Sequence, residues 1–280
     1  MKVVSWNVNS IRARLEHVTA WLKANRPDVL FLQELKSTEF PATIFAELGY
    51  ESAAVTQKGY NGVAVLSLSP IETISTTLAG DETDTHARFL EMTIQGIRMV
   101  NIYLPNGNPV GTDKFAYKVA WMERLRKEMS AWLEKDVPVL VGGDFDVIPE
   151  DIDCHKPASW IHDALFQPEP RAKYRAFLKL GSSMLFGPSI PVRRDSSPFG
   201  TTFAWPSSTI EDFFPAPDRR QPSAHLGLDH LLIEPGLLQG ARVEELQCRS
   251  GPLNRSPGQL PFVEQIQQKR ANVLRAQLIG

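Results

Sequence analysis

Asp144 and Asp146 stand two residues apart, directly after the apolar run Val139–Val141 and the pair Gly142-Gly143. In extended backbone, positions two apart point to the same side, so both carboxylates can face one site. Two such carboxylates with no cationic side chain between them repel. They tolerate this by facing water, binding a divalent metal or sharing a proton. A solvated Asp-rich turn is the plain alternative. Two other polar residues occupy the same kind of position. Asn7 closes the β-rich stretch 2–8, and Glu34 follows Asp-Val-Leu-Phe-Leu-Gln at 28–33. Strand ends along one sheet edge commonly build active sites. By itself Glu34 also reads as a surface glutamate.

The elements that must position these residues alternate along the chain. After the first strand, Ser10 caps a helix whose apolar stripe is Ile11, Leu15, Val18 and Leu22. Arg26-Pro27 ends it before the second strand. The pattern then predicts a short helix over 40–48 and strands near 50–56, 62–67, 87–93 and 97–103. The longest helix is expected over 114–134, with Phe115, Val119, Met122, Met129 and Leu133 as its buried face, a packing stripe with no function assigned. A strand over 137–141 and helices near 158–165 and 171–180 follow. Strand pairs with and without intervening helices suggest a mixed sheet.

At 280 residues, 42% hydrophobic, the chain is long enough for one large domain or two small ones, with a sizeable core. No apolar run is long enough to span a membrane and no charged-then-apolar leader is present, so a cytoplasmic, monomeric protein with no membrane partner is expected. The two cysteines, Cys154 and Cys248, lack metal-type spacing and fit free thiols in a reducing compartment. A net charge of −2 does not advertise a nucleic-acid binder, yet a local basic surface suffices for one.

Several ordered segments carry a resemblance. Ser-Trp-Asn-Val-Asn-Ser-Ile-Arg-Ala-Arg at the N-terminus, Leu-Gln-Glu-Leu-Lys at 32–36 and Gly-Gly-Asp-Phe-Asp at 142–146 resemble the exonuclease III group of the endonuclease/exonuclease/phosphatase superfamily. Between and beyond them, Gln57 to Ala64 resembles the family's Gly-x-x-Gly-Val-Ala hairpin, Ala87-Arg88-Phe89 its arginine strand, and Asn101 to Gly107 its Tyr-x-Pro-x-Gly loop. Leu228-Asp229-His230-Leu231-Leu232 is similar to its penultimate aspartate strand. The resemblance implies an α/β fold, a four-layer α/β/β/α sandwich of two mixed sheets (deoxyribonuclease I-like). The site lies at one end of it, over a single domain of 1–280 whose part from 181 to 280 diverges and leaves the second sheet in question.

It also implies a Mg²⁺-dependent DNA-repair phosphodiesterase, with Mn²⁺ as the alternative ion. The substrate would be duplex DNA with abasic sites or 3′ ends. Carried over residue by residue, Glu34 and Asn7 fall on the metal side, and Asp229 matches a metal-side or a structural aspartate. Asp144 matches the aspartate that activates water or protonates the leaving group, and Tyr103 the tyrosine beside the phosphate. Arg88 and Asn106 match backbone-phosphate contacts, with a surface pair or turn residue as the plain alternative, and Trp205, in Thr202-Phe203-Ala204-Trp205, faintly matches an aromatic lining the abasic pocket, with a surface-anchoring aromatic as its alternative.

Two departures bear on turnover. The family motif reads Gly-Asp-x-Asn, and Asp146 stands in the asparagine position. An amide can donate hydrogen bonds to phosphate or water, whereas an ionised carboxylate only accepts. At a few ångströms and an effective dielectric near ~20, its repulsion of Asp144 and an anionic substrate is on the order of several kcal/mol before screening. Reduced activity is therefore expected, with Asp146 ionised, protonated or turned to metal. The family also closes with a Ser-Asp-His motif, and this chain has no histidine after His230. Asp229-His230 fits the strand before that motif, so His230 is expected to point away from the site rather than replace the dyad. The rival readings are a non-catalytic DNA- or phosphoester-binding protein of the same fold and a superfamily phosphatase on a small phosphoester. Past Pro235 no strand pattern is legible, and 262–278 reads as a helix.

Overall fold

The computed structural model describes residues 1–135, 138–154 and 156–180 and, beyond these, three strands at Ser183–Phe186, Asp229–Ile233 and Arg242–Gln247. Trp205, Cys248 and the expected helix over 262–278 lie outside the described residues.

Strand β1 (Lys2–Asn7) leads through the Ser10 cap, whose Oγ accepts from Ala13 N–H at 3.4 Å, into α1 (Ile11–Asn25). Arg26 closes α1 in left-handed conformation ahead of Pro27. Then come β2 (Val29–Gln33), α2 (Ala42–Glu47), β3 (Glu51–Val55), β4 (Val63–Ser67), β5 (Glu72–Ser75), β6 (Phe89–Ile94) and β7 (Ile97–Tyr103). Helix α3 (Asp113–Leu133), β8 (Val139–Asp144), α4 (Pro168–Lys179), β9 (Ser183–Phe186), β10 (Asp229–Ile233) and β11 (Arg242–Gln247) complete the order.

Two sheets form, ordered β11-β1-β2-β4-β3 and β5-β6-β7-β8-β10-β9, each with parallel and antiparallel pairs. The period-2 alternation of the strands explains how they stack. Val3, Val29, Phe31, Val63 and Val65 of the first sheet meet Leu90, Met92, Met99 and Leu140 of the second in the central core. Their neighbours Val4, Trp6, Leu30, Leu32, Ala64 and Leu66 face outward and bury Ile11, Val18, Trp21 and Leu22 of α1 and Phe45 of α2. On the far side, Val100, Ile102 and Val141 pack under Trp121, Met122, Leu125 and Trp132 of α3 and Tyr174 and Phe177 of α4. The result is the four-layer sandwich that the resemblance implies.

Three expectations are corrected. The buried face of α3 is Lys118, Trp121, Met122, Leu125, Met129 and Trp132, about one residue round from the predicted stripe, and Phe115, Val119 and Leu133 are only partly buried. The two tryptophans offer more apolar area than the residues they displace. The span 158–165 is not an α-helix but a 3-10 turn at Pro157–Ser159 followed by turns. Two of its amides go to side chains instead: Ala164 N–H to Asn108 Oδ1 (2.9 Å) and Leu165 N–H to Asp163 Oδ1 (2.8 Å). Past Pro235 a strand does form, β11, parallel to β1 in register from Lys2↔Arg242 to Asn7↔Gln247. The short edge strand β5 was also not foreseen.

Gly143 shows how tightly β8 is held. Its φ is +130°, and a Cβ there would lie 2.0 Å from the Ile102 carbonyl oxygen on β7. Backbone cannot retreat as a side chain does. Gly143→Ala is expected to cost about 3–5 kcal/mol, overpacking added to conformational strain. A urea titration checks this, and a midpoint within error of the parent would refute it.

Candidate active site

Five strands deliver the polar residues to one end of the sandwich. Asn7 ends β1 and pairs in register with Gln33, the last residue of β2, so Glu34 follows at the same edge. Tyr103 ends β7 in register with Asp144 at the end of β8. Asp229 opens β10 opposite Asp144, with His230 opposite Gly143. Beneath this edge the sheets are tied by a buried amide network. Gln33 Nε2 donates to Asn101 Oδ1 (2.7 Å), and Asn101 Nδ2 donates to the carbonyls of Leu32 (3.1 Å) and Ala64 (2.8 Å).

Asn7 is the hub. Its Nδ2 donates to Glu34 Oε1 (3.0 Å) and Asp144 Oδ2 (2.7 Å), while its Oδ1 accepts from Asn9 N–H (3.0 Å), which fixes the amide's orientation. The Tyr103 hydroxyl donates to the same Glu34 Oε1 at 3.0 Å. On the other oxygen of Glu34 sits the Lys36 ammonium, 2.6 Å away and 2.6 Å from Asn9 Oδ1. Burial pushes the Glu34 carboxyl up, but the Asn7 and Lys36 hydrogen bonds, the Lys36 charge and the Tyr103 hydroxyl outweigh it, so it stays below its ordinary range and ionised. Burial pushes the Tyr103 phenol up, and the charges of Asp146, Glu34 and Asp144 push it further, so it remains a neutral donor.

The backbone is strained where it turns inward. Asn9, Ser10, Glu34, Lys36 and Asp146 all hold positive φ, between 43° and 91°. Each costs about 1–3 kcal/mol, a pattern that gathers at active sites. The turn is braced by Ser10 N–H to Glu34 O (2.7 Å), Ile11 N–H to Leu35 O (3.0 Å) and Lys36 N–H to Asn61 O (2.9 Å).

Arg88 and Asn106 act through neighbours. The Arg88 guanidinium lies over the Tyr103 ring, 4.8 Å from its centroid, and donates to the Tyr103 carbonyl at 3.1 Å. It therefore braces the tyrosine as well as adding positive charge. Asn106 Nδ2 donates to Asp146 Oδ1 (3.2 Å), and Asn106 Oδ1 accepts from Asn108 Nδ2 (2.8 Å). Asp146 is 2% exposed, donates its own N–H to Asp144 Oδ1 (3.0 Å), and leaves its Oδ2 buried with no hydrogen-bond partner. Burial drives its carboxyl well above the ordinary carboxylate range, while Lys118 pulls it back.

Lys118 is the site residue the sequence reading missed. It is fully buried on the core face of α3, and its Nζ donates to the carbonyls of Asn106 (3.0 Å) and Asp146 (2.5 Å). A lysine inside an otherwise apolar helical stripe was the one available signal.

The arrangement fits a hard cation. The donors are all oxygen, Glu34 is ionised, and its Oε2 already takes a cation, the Lys36 ammonium. Among the described residues no cluster of three or more His, Cys, Asp or Glu could hold a metal, and Glu34 offers an ionised carboxylate.

The two-sheet sandwich gathers this polar constellation at one edge. Residues 4–243 match the Endonuclease/Exonuclease/phosphatase family, and the chain belongs to it. Within it, the chain is exonuclease III-like. It is 29% identical over 252 residues to the exodeoxyribonuclease III of Haemophilus influenzae, covering 85% of this chain and 90% of that one. Among solved structures, an AP endonuclease from Archaeoglobus fulgidus superposes with a TM-score of 0.65 at 32% identity, covering 84% of this chain and 87% of the other. The Neisseria 3′ phosphatase NExo, in a structure bound to product DNA hairpin, gives 0.66 at 29%, covering 83% and 86%.

Proposed function

We propose that this protein is a Mg²⁺-dependent DNA-repair phosphodiesterase that incises duplex DNA 5′ to an abasic site and trims 3′ ends, working as a cytoplasmic monomer. The observation that carries the reading is the Asn7 bridge, which holds Glu34 and Asp144 on one amide with the neutral Tyr103 hydroxyl beside them. The DNA hairpin bound to the Neisseria relative supports a nucleic-acid substrate.

Glu34 is the residue to hold the ion, with Asp229, whose strand opens opposite Asp144, as a second contributor. When bound, Mg²⁺ supplies charge neutralisation at the phosphate and at the leaving oxygen. The chain's own groups do the rest. Asp144 is held at both oxygens, by Asn7 and by the Asp146 N–H, and so is oriented to take a proton from a water or return one to the leaving oxygen. Tyr103 exchanges its Glu34 partner for a phosphate oxygen, with Arg88 fixing its ring. Phosphate contacts and an extruded sugar, rather than base reading, would set recognition.

One observation favours a weaker activity or a non-catalytic binder: the buried charge and unpartnered oxygen of Asp146, where the family has an amide. The experiment is incision of a labelled duplex carrying one abasic-site analogue, with Mg²⁺ and with EDTA. Cutting that needs Mg²⁺ is the expected result. Binding without cutting overturns it in favour of the non-catalytic reading, and turnover of an inositol phosphate alone would favour the small-phosphoester one.

A further inference from the structure

A lysine at 0% exposure needs an explanation, because a desolvated ammonium costs several kcal/mol unless it is compensated. The two carbonyls that accept from Lys118 Nζ satisfy hydrogen bonds but carry no net charge. The compensating charge is Asp146 first, then Asp144 and Asp163. Asp146 has the converse difficulty. It is a buried carboxylate in left-handed backbone (φ 47°) whose Oδ1 receives one 3.2 Å bond and whose Oδ2 receives none. Among the charges around it, Lys118 is the largest that draws the Asp146 carboxyl back down.

The placement shows that the fit is built. Lys118 reaches inward past Gly107, where a Cβ would lie 2.6 Å from the lysine Cδ. Its two carbonyl partners belong to different loops: Asn106 follows β7 and Asp146 follows β8. The side chains of those same residues then meet, Asn106 Nδ2 on Asp146 Oδ1. A single ammonium thus ties the two loops that flank Tyr103 and Asp144. Among the described residues, the site carries three carboxylates (Glu34, Asp144, Asp146) against Lys36, Arg88 and Lys118.

We propose that Lys118 is a positioning residue of this site, its buried ammonium being the internal counter-charge that admits an aspartate at position 146 and holds the Asn106 and Asp146 loops together. The rate consequences rest on the function proposed above; the stability consequences do not.

The test is a double-mutant cycle of Lys118→Met, which keeps the length and apolar stem, with Asp146→Asn. By urea unfolding, Lys118→Met in the parent is expected to lower the folding equilibrium constant by about 100-fold or more, as for removing one partner of a buried charge pair. In the Asp146→Asn background the same change is expected to cost less than about 10-fold. Equal losses in both backgrounds would mean that Lys118 serves packing alone and would overturn the proposal. If Lys118→Met does not fold, recovery of folding on adding Asp146→Asn supports the proposal, and a double variant that also fails to fold overturns it. In the incision assay, the double variant should run within about threefold of Asp146→Asn alone, whereas Lys118→Met alone should be at least ~10-fold slower than the parent. A slow double variant would defeat the positioning role. A parent that does not incise at all sinks the functional reading, and the stability cycle still decides this one.

Discussion

Glu34→Gln is expected to slow Mg²⁺-dependent incision by about 100- to 1000-fold, the range seen when one preorganised electrostatic contact to a reacting centre is lost. The substitution is nearly isosteric. The new carbonyl oxygen can still accept from Asn7 Nδ2 and the Tyr103 hydroxyl, both of which sit 3.0 Å from Glu34 Oε1. What goes is the charge, and with it the attraction for a hard divalent ion, which needs carboxylate oxygen. The new amide also turns a donor toward the Lys36 ammonium, 2.6 Å from the present Oε2. Binding of Mn²⁺ followed by calorimetry should therefore weaken by at least ~10-fold, and a urea midpoint should stay close to the parent's. Those two readings separate a lost ion from a lost fold. Unchanged incision with unchanged ion binding would remove Glu34 from the centre of the site.

Asn7, Tyr103 and Asp144 were legible because each ends a strand, and Glu34 because it follows one. Asn7, Glu34, Tyr103 and Asp144 all follow apolar β-branched runs, and the period of those runs decides the face while the sheet edge decides the place. The α1 stripe was legible for the same reason, with Trp21 added and Leu15 only partly buried. Lys118 was hidden by the rule that found the others. A helical stripe is recognised by apolar residues, so a charged residue on the core face shifts the apparent stripe to the neighbouring row. Its partners are carbonyls 12 and 28 residues away, which no local pattern records. The irregular path from Pro157 to Leu165 was hidden likewise, since Asn108, 56 residues earlier, takes the Ala164 amide. Strand β11, Arg-Val-Glu-Glu-Leu-Gln, has too few apolar residues to announce itself, and its place as the edge partner of β1 is a property of the sheet. Arg88 was read as a phosphate contact, and its stacking on Tyr103 is a tertiary fact.

Asp146→Asn is expected to raise the incision rate at neutral pH by about 10-fold or more, and to stabilise the protein there. Two effects on the rate agree in sign. An amide removes a negative charge next to Asp144 and an incoming phosphate, and about 1.4 kcal/mol of relief at the transition state is worth a factor of ten. It also restores a donor where the carboxylate can only accept. Left-handed backbone at φ 47° suits asparagine at least as well as aspartate. For stability the sign follows from the raised carboxyl. In the window between its ordinary pKa and the elevated folded value, the folded state binds more protons than the unfolded chain, so stability falls as pH rises through that window. Above it the full cost of the buried charge is present, and below it the cost disappears. One opposing effect limits the gain. Without Asp146, the Lys118 ammonium loses its main counter-charge, but burial already lowers that lysine to about 8, so shedding its proton near neutrality costs only on the order of 1 kcal/mol. The net gain should be about 1 kcal/mol at pH 7.5, shrinking toward zero below the ordinary carboxylate range. Urea midpoints of parent and variant across pH 4 to 8 measure it, beside incision rates at each pH. A difference independent of pH would mean that the Asp146 charge is not what the fold is carrying. A slower Asp146→Asn enzyme would mean that this chain has turned the aspartate to catalytic use, with the protonated acid or a second cation contact in place of the amide.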